Sequence, residues 1–128
     1  MKASARTVAA AVSLDVAAVV AFAAVGRSSH AEGVTLSGVS ETALPFLVGL
    51  GIGWAVARGW RAPEALRPTG VAVWAGTVVG GLVLRWATGN PPPLSFAVVT
   101  TVFVGTCVLG WRAVSALRAG KQSGLVQA

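Results

Sequence analysis

The sequence has 128 residues, of which 55% are hydrophobic and only 11% are charged, and its formal net charge is +6. A soluble domain of this size needs a polar surface that so few charged residues cannot supply, and the mean hydropathy of +0.75 indicates that lipid surrounds most of the chain. The basic residues flank apolar segments instead of clustering, which favours membrane orientation over a nucleic-acid partner.

Four apolar segments are predicted to be transmembrane helices that form one integral membrane domain over residues 1–128. They cover about residues 7–25, 41–58, 70–87 and 94–117. A bilayer core of about 30 Å needs ~20 helical residues, which these lengths approach or meet. Ser40 and Thr42 are predicted N-caps before Pro45, and Gly120 is predicted to end the last helix. The expected fold class is therefore an all-α, four-transmembrane-helix bundle.

The distribution of Lys and Arg predicts the orientation of this bundle. The apolar runs of the second and fourth segments end at Ala57 and Trp111, and the last helix continues as a polar turn or two toward Leu117. Eight of the ten basic residues lie before the first segment, between Ala57 and the third segment, or after Trp111, and only Arg27 and Arg85 lie on the opposite side. The positive-inside rule then places the N and C termini in the cytoplasm of a multi-pass protein of the cell membrane. The five tryptophans are expected to form an interfacial aromatic belt.

Asp15 lies in the middle of the first apolar segment, about 12 Å from its start at a rise of 1.5 Å per residue. An unpaired charge at such a depth costs at least ~2.5–3.5 kcal/mol. Arg85 is the predicted partner, because its long side chain leans back along the third helix toward the membrane centre. These two residues form the candidate intramembrane polar site.

Three interpretations of this site stay open. In the first, Asp15 and Arg85 form a structural ion pair that fixes the first helix against the third. In the second, Asp15 is a protonatable carrier site that faces a cavity, and Arg85 tunes it or binds an anion. In the third, Arg85 extends to the outer interface and Asp15 stays neutral.

Arg27 and His30 form a candidate polar cluster on the outer face, above the same cavity. With one histidine and one cysteine, Cys107, the chain cannot build a zinc site from several such ligands, and no metal or cofactor is expected. No nucleophile–base pair or phosphate-binding loop is visible, so we do not expect an enzyme.

Small residues at a spacing of four predict close helix packing, because lipid gives helices no hydrophobic reason to associate. The candidate packing residues are Gly49, Gly53, Gly76, Gly80 and Gly105. A stripe of small residues left over from the bundle would form a homo-oligomer face.

An internal sequence repeat suggests two tandem helical hairpins. Phe46 precedes Gly59-Trp60-Arg61 at nearly the same spacing at which Phe96 precedes Gly110-Trp111-Arg112. Such symmetry is common in membrane proteins that bind a substrate between their halves.

The chain resembles a family of small prokaryotic membrane proteins, Domain of Unknown Function 3054. The resemblance is carried by Asp15, the Gly-Arg-x-x-His element at 26–30, Pro45-Phe46, Arg85, Ser95-Phe96 and Gly110-Trp111-Arg112. It implies a four-helix integral membrane protein and implies no activity.

Two functions therefore compete for this uncharacterised membrane protein. One is a small transporter or permeation protein that uses Asp15 and Arg85, with an unknown ion or small molecule as its substrate. The alternative is a non-transporting structural or accessory subunit in which an Asp15–Arg85 pair only locks the bundle. The lipid bilayer is the expected partner in both.

Overall fold

The computed structural model describes residues 3–28 and 35–127, with side chains described for 3–26 and 35–120. It contains four long helices: α1 (Ala5–Ser28), α2 (Leu36–Ala57), α3 (Val71–Ala87) and α4 (Leu94–Gln127). All four, α3 together with the turn before it, are long and apolar enough to span a membrane. By helix composition the chain is an all-α, multi-pass membrane protein, and the lipid bilayer is its partner.

Helix α2 begins earlier than predicted. Its N-cap is Thr35, whose Oγ1 accepts a hydrogen bond from the backbone N–H of Gly38 at 3.0 Å. The predicted cap Ser40 instead lies inside the helix, where its Oγ donates to the carbonyl of Leu36 at 2.8 Å. Pro45 also lies inside α2. The earlier start makes α2 long enough to cross a bilayer.

Helix α4 continues past its predicted end at Gly120 and reaches Gln127. One glycine inside a helix costs only about 1 kcal/mol, which is too little to end it. The 34 residues of α4 extend for about 50 Å, well beyond a hydrocarbon core of about 30 Å. Arg112 therefore lies in the interior of a continuous helix.

The connection between α2 and α3 separates the two Gly-Trp-Arg triplets. Helix α2 ends before the first one, at the left-handed residue Arg58 (φ 51°), and Gly59–Arg61 forms a short 3-10 turn with an exposed Trp60. The second triplet, at 110–112, continues α4. The triplets occupy different structures, so they give no support to the predicted tandem hairpins.

The closest helix packing joins α2 to α3. A Cβ atom added to Gly80 would lie 2.8 Å from the Cα of Gly49, and one added to Gly53 would lie 2.6 Å from the carbonyl oxygen of Ala72. Backbones can approach this closely only where side chains are absent. Helix α1 packs on α2 and α4, and α3 packs on α2 and α4, so the four helices enclose one core.

The core of this bundle has an aromatic part and a polar part. Phe22 of α1 lies edge-to-face on Phe46 of α2, with ring centroids 5.2 Å apart, and it also contacts Phe96 and Phe103 of α4. Toward the end of the bundle that carries the termini, the core contains the fully buried Asp15. The apolar packing thus places a carboxylate where lipid and water are both excluded.

Candidate functional site

Asp15 is held on the buried face of α1 by the residues one helical turn away from it. Ala11 and Val19, four residues to either side, are also buried, so the spacing that directs small apolar side chains into the core directs Asp15 there too. Asp15 and Arg112 each have a relative exposure of 0%.

Each oxygen of the Asp15 carboxylate accepts two hydrogen bonds. Oδ1 accepts from Nη1 of Arg112 and from Nε1 of Trp111, both at 2.9 Å. Oδ2 accepts from Nη2 of Arg112 at 2.8 Å and from Nε1 of Trp54 at 2.9 Å. The Asp15–Arg112 contact is therefore a bidentate salt bridge, the strongest geometry for this pair of groups, and two indoles complete it.

The Arg112 guanidinium is satisfied by further acceptors. Its Nε donates to the carbonyl oxygen of Pro63 at 2.9 Å, and Nη1 also donates to the carbonyl oxygen of Val108 at 3.1 Å. Its Cζ lies 4.3 Å from the centroid of the Trp111 ring and 5.9 Å from that of Trp54. Hydrogen bonds and cation–π contacts together replace the water that this cation gives up on burial.

The network joins α1, α2, α4 and the connection after α2, and it packs against the residue that precedes α3. Asp15 comes from α1, Trp54 from α2, Pro63 from the connection after α2, and Arg112 from α4. A Cβ added to Gly70, directly before α3, would lie 2.9 Å from Cδ of Arg112. One ion pair thus sets the relative positions of elements that are far apart in sequence.

The predicted Asp15–Arg85 pair is wrong, because the structure pairs Asp15 with Arg112. Arg85 lies in the last turn of α3, with its Cζ 4.9 Å from the ring centroid of Phe96 near the start of α4. Its buried Nε has no hydrogen-bond partner among the described residues. Arg112 reaches Asp15 because helical side chains lean toward the N-terminus of their helix, which directs this one back into the bundle.

A sequence signal for Arg112 exists in the spacing along α4. Thr100, Val104, Val108 and Arg112 follow one another at intervals of four, and all are fully buried. An arginine that continues a buried stripe is positioned to enter the core. Arg112 was not predicted as the partner, because it follows the apolar run that ends at Trp111 and was counted among the charges that orient the protein.

The five glycines predicted as packing residues all lie at contacts between helices. Gly49, Gly53, Gly76 and Gly80 lie between α2 and α3, and Gly105 of α4 lies against the ring of Trp74 of α3. Nε1 of Trp74 also donates to the carbonyl oxygen of Thr101 at 3.0 Å. The small-residue stripes thus contact other helices of the same chain. His30 and the side chain of Arg27 lie outside the described residues.

The aromatic-belt prediction fits only some of the tryptophans. Trp60 and Trp86 have relative exposures of 46% and 70%, as interfacial residues do. Trp54 and Trp111 instead donate to Asp15 inside the bundle. Within the described residues, no group of three or more His, Cys, Asp and Glu side chains is placed to hold a metal ion.

Comparison with known proteins identifies a family to which this chain is similar. The model of a family described as protein of unknown function (DUF3054) matches residues 12–115, a range that contains both partners of the buried salt bridge. No curated protein and no solved structure gives a significant match. The matched range covers most of the sequence, so the chain belongs to the DUF3054 family of proteins of unknown function.

Proposed function

We propose that this chain is a structural or accessory protein of the cell membrane, in which the Asp15–Arg112 pair locks four spans together and carries no substrate. The observation that supports this is the complete coordination of a carboxylate that is 0% exposed. A carrier needs a carboxyl group that exchanges protons or ions with water. A proton on either oxygen of Asp15 would displace one of its four donors.

Both termini lie in the cytoplasm in this proposal. Its support is the bias of the basic residues, eight of which lie on the side of the termini. A cysteine placed at the exposed Glu41, in a Cys107→Ala background, should react with a membrane-impermeant maleimide added to intact cells. Reaction only after the membrane is opened contradicts this orientation.

The protein works without catalysis and without a cofactor in this proposal. Support comes from the chemistry of the groups around Asp15, which are a guanidinium, two indole N–H groups and backbone carbonyls. None of these is a nucleophile or a general base.

The glycine-rich faces of α2 and α3 pack on each other, which favours a bundle that is complete without a second copy.

Reaction with a carbodiimide tests whether the Asp15 carboxylate stays hydrogen-bonded to its four donors, and this test needs no known substrate. Hydrophobic carbodiimides react with protonated carboxyl groups in membranes, and peptide mass spectrometry locates the adduct. We expect wild-type protein to show no adduct at Asp15. Arg112→Gln should make Asp15 reactive, because it removes two of the four donors. Arg85→Gln is the matched control and should leave Asp15 unreactive.

An adduct at Asp15 in folded wild-type protein contradicts the structural role. A flux assay then measures the carrier alternative directly, in liposomes that contain a pH-sensitive dye under an imposed proton gradient. We expect the wild-type protein to pass protons no faster than protein-free liposomes do. A flux that Asp15→Asn abolishes and Glu41→Gln preserves, with both variants monodisperse, identifies a proton carrier instead.

A further inference from the structure

An open groove of about 570 Å³ lies between α1 and α4 at the end of the bundle that carries the termini. Its volume is within the range of about 300–1,000 Å³ that small-molecule sites occupy. The residues that define its chemistry are Arg6 and Leu14 of α1, Glu64 of the connection before α3, and Trp111, Ser115 and Arg118 of α4.

The charged rim of this groove favours an anion. Arg6 and Arg118 contribute two guanidinium groups, against one carboxylate from Glu64. Oε2 of Glu64 accepts a hydrogen bond from Oγ of Ser115 at 2.6 Å. An excess of positive charge remains, and guanidinium groups bind phosphate through paired N–H donors.

The rest of the groove is apolar and opens toward lipid. Leu14 and Val114 line it with relative exposures of 47% and 51%, and both lie within helices that could span the membrane. Arg6 is the second residue of α1, so the charged rim lies where that span ends. The polarity of the groove therefore changes from cationic to apolar along the direction in which a phospholipid lies in a bilayer.

The inner wall of the groove is fixed before any ligand arrives. Trp111 lines the groove, and its Nε1 donates to Asp15 at 2.9 Å. The guanidinium of Arg112 lies against the Trp111 ring at 4.3 Å. A wall held in this way loses little side-chain entropy on binding.

We propose that this groove binds an anionic phospholipid from the leaflet on the side of the termini. The lipid phosphate lies between Arg6 and Arg118, and an acyl chain lies along Leu14 and Val114. This inference goes beyond the structural role of the Asp15–Arg112 pair. It requires only that the four helices span a bilayer.

Native mass spectrometry of the full-length protein tests the proposal. The protein is held in mixed micelles that contain equal amounts of phosphatidylglycerol and phosphatidylcholine with identical acyl chains. We expect it to retain phosphatidylglycerol in preference to phosphatidylcholine. Loss of one guanidinium in Arg6→Gln or Arg118→Gln should lower this preference about fivefold, and loss of both should lower it about thirtyfold.

A matched control separates the groove from the general positive charge of this face. Arg58 and Arg67 are exposed on the same side and do not line the groove. The double variant R58Q/R67Q has the same net charge as R6Q/R118Q, and we expect it to keep the full preference. Leu14→Trp fills the groove without a change in charge and should lower phosphatidylglycerol retention.

Three outcomes overturn the proposal. The first is equal retention of phosphatidylglycerol and phosphatidylcholine by the wild-type protein. The second is an equal loss of preference in the control variant R58Q/R67Q. The third is displacement of the lipid by glycerol 3-phosphate at an equal concentration, which would assign the rim to a free phosphate compound. An unchanged circular dichroism spectrum ensures that each variant is folded.

Discussion

Removal of one partner of the buried ion pair should destabilise the bundle strongly. Asp15→Asn leaves the Arg112 guanidinium, which is 0% exposed, without a counter-charge. Breaking a buried pair in this way costs about 3–5 kcal/mol. Arg112→Gln removes the opposite partner and should cost a similar amount, because it withdraws one hydrogen-bond donor from each Asp15 oxygen.

The double variant D15N/R112Q measures the interaction itself. Neither member of the pair is charged in this variant, so its loss of stability should be smaller than the sum of the two single losses by about 3 kcal/mol. Arg85→Gln is the same chemical change at the position that the sequence analysis favoured. Arg85→Gln should lower the free energy of unfolding by less than about 2 kcal/mol, since the guanidinium of Arg85 contacts the ring of Phe96 and not a buried carboxylate.

The measurement is unfolding in mixed micelles of mild detergent and sodium dodecyl sulfate, followed by far-ultraviolet circular dichroism. The four unfolding free energies of the cycle give the coupling between Asp15 and Arg112. A coupling below about 0.5 kcal/mol refutes the assignment of the pair as the lock of the bundle. A loss in Arg85→Gln equal to that in Arg112→Gln refutes the assignment of the partner.

Two further substitutions test the surroundings of the pair. Gly49→Ala should cost about 1–3 kcal/mol in the same unfolding assay, because its Cβ would overlap the backbone of α3. Gly51→Ala is the control and should cost nothing, since the space around Gly51 is open. Equal effects of the two substitutions contradict the close α2–α3 packing. Trp54→Phe should cost about 1–3 kcal/mol through loss of a donor to Asp15. Trp86→Phe, at a 70% exposed position, is its control, and a comparable loss there contradicts the role given to the indole N–H.

The length and apolar character of the four segments were enough to predict the architecture, because a bilayer imposes one span length on every helix. The boundaries were harder to predict. Ser40 before Pro45 has the pattern of a helix start, yet Thr35 is the cap, since proline is tolerated inside membrane helices. Gly120 has the pattern of a helix stop, yet α4 continues through it.

Asp15 was predictable as a site residue because a charge within an apolar segment requires compensation. Its partner was missed, because the pairing was inferred from depth along each helix and not from the stripe of buried residues that Arg112 continues along α4. The indole donors Trp54 and Trp111 were missed for a related reason. Tryptophan near the end of a span is usually an interfacial residue, and only the three-dimensional packing turns these two inward.

The ion pair joins residues that are 97 positions apart, and this separation has a consequence for synthesis. At about 5–20 residues per second, roughly 5–20 s pass between the appearance of the carboxylate and that of its guanidinium. During this interval α1 has an acidic group for which no counter-ion has yet been made, and synthesis of α4 supplies that counter-ion. Chains that stop before residue 112 should accordingly disappear faster in a pulse-chase experiment than chains that stop at residue 120, and equal lifetimes would exclude this dependence.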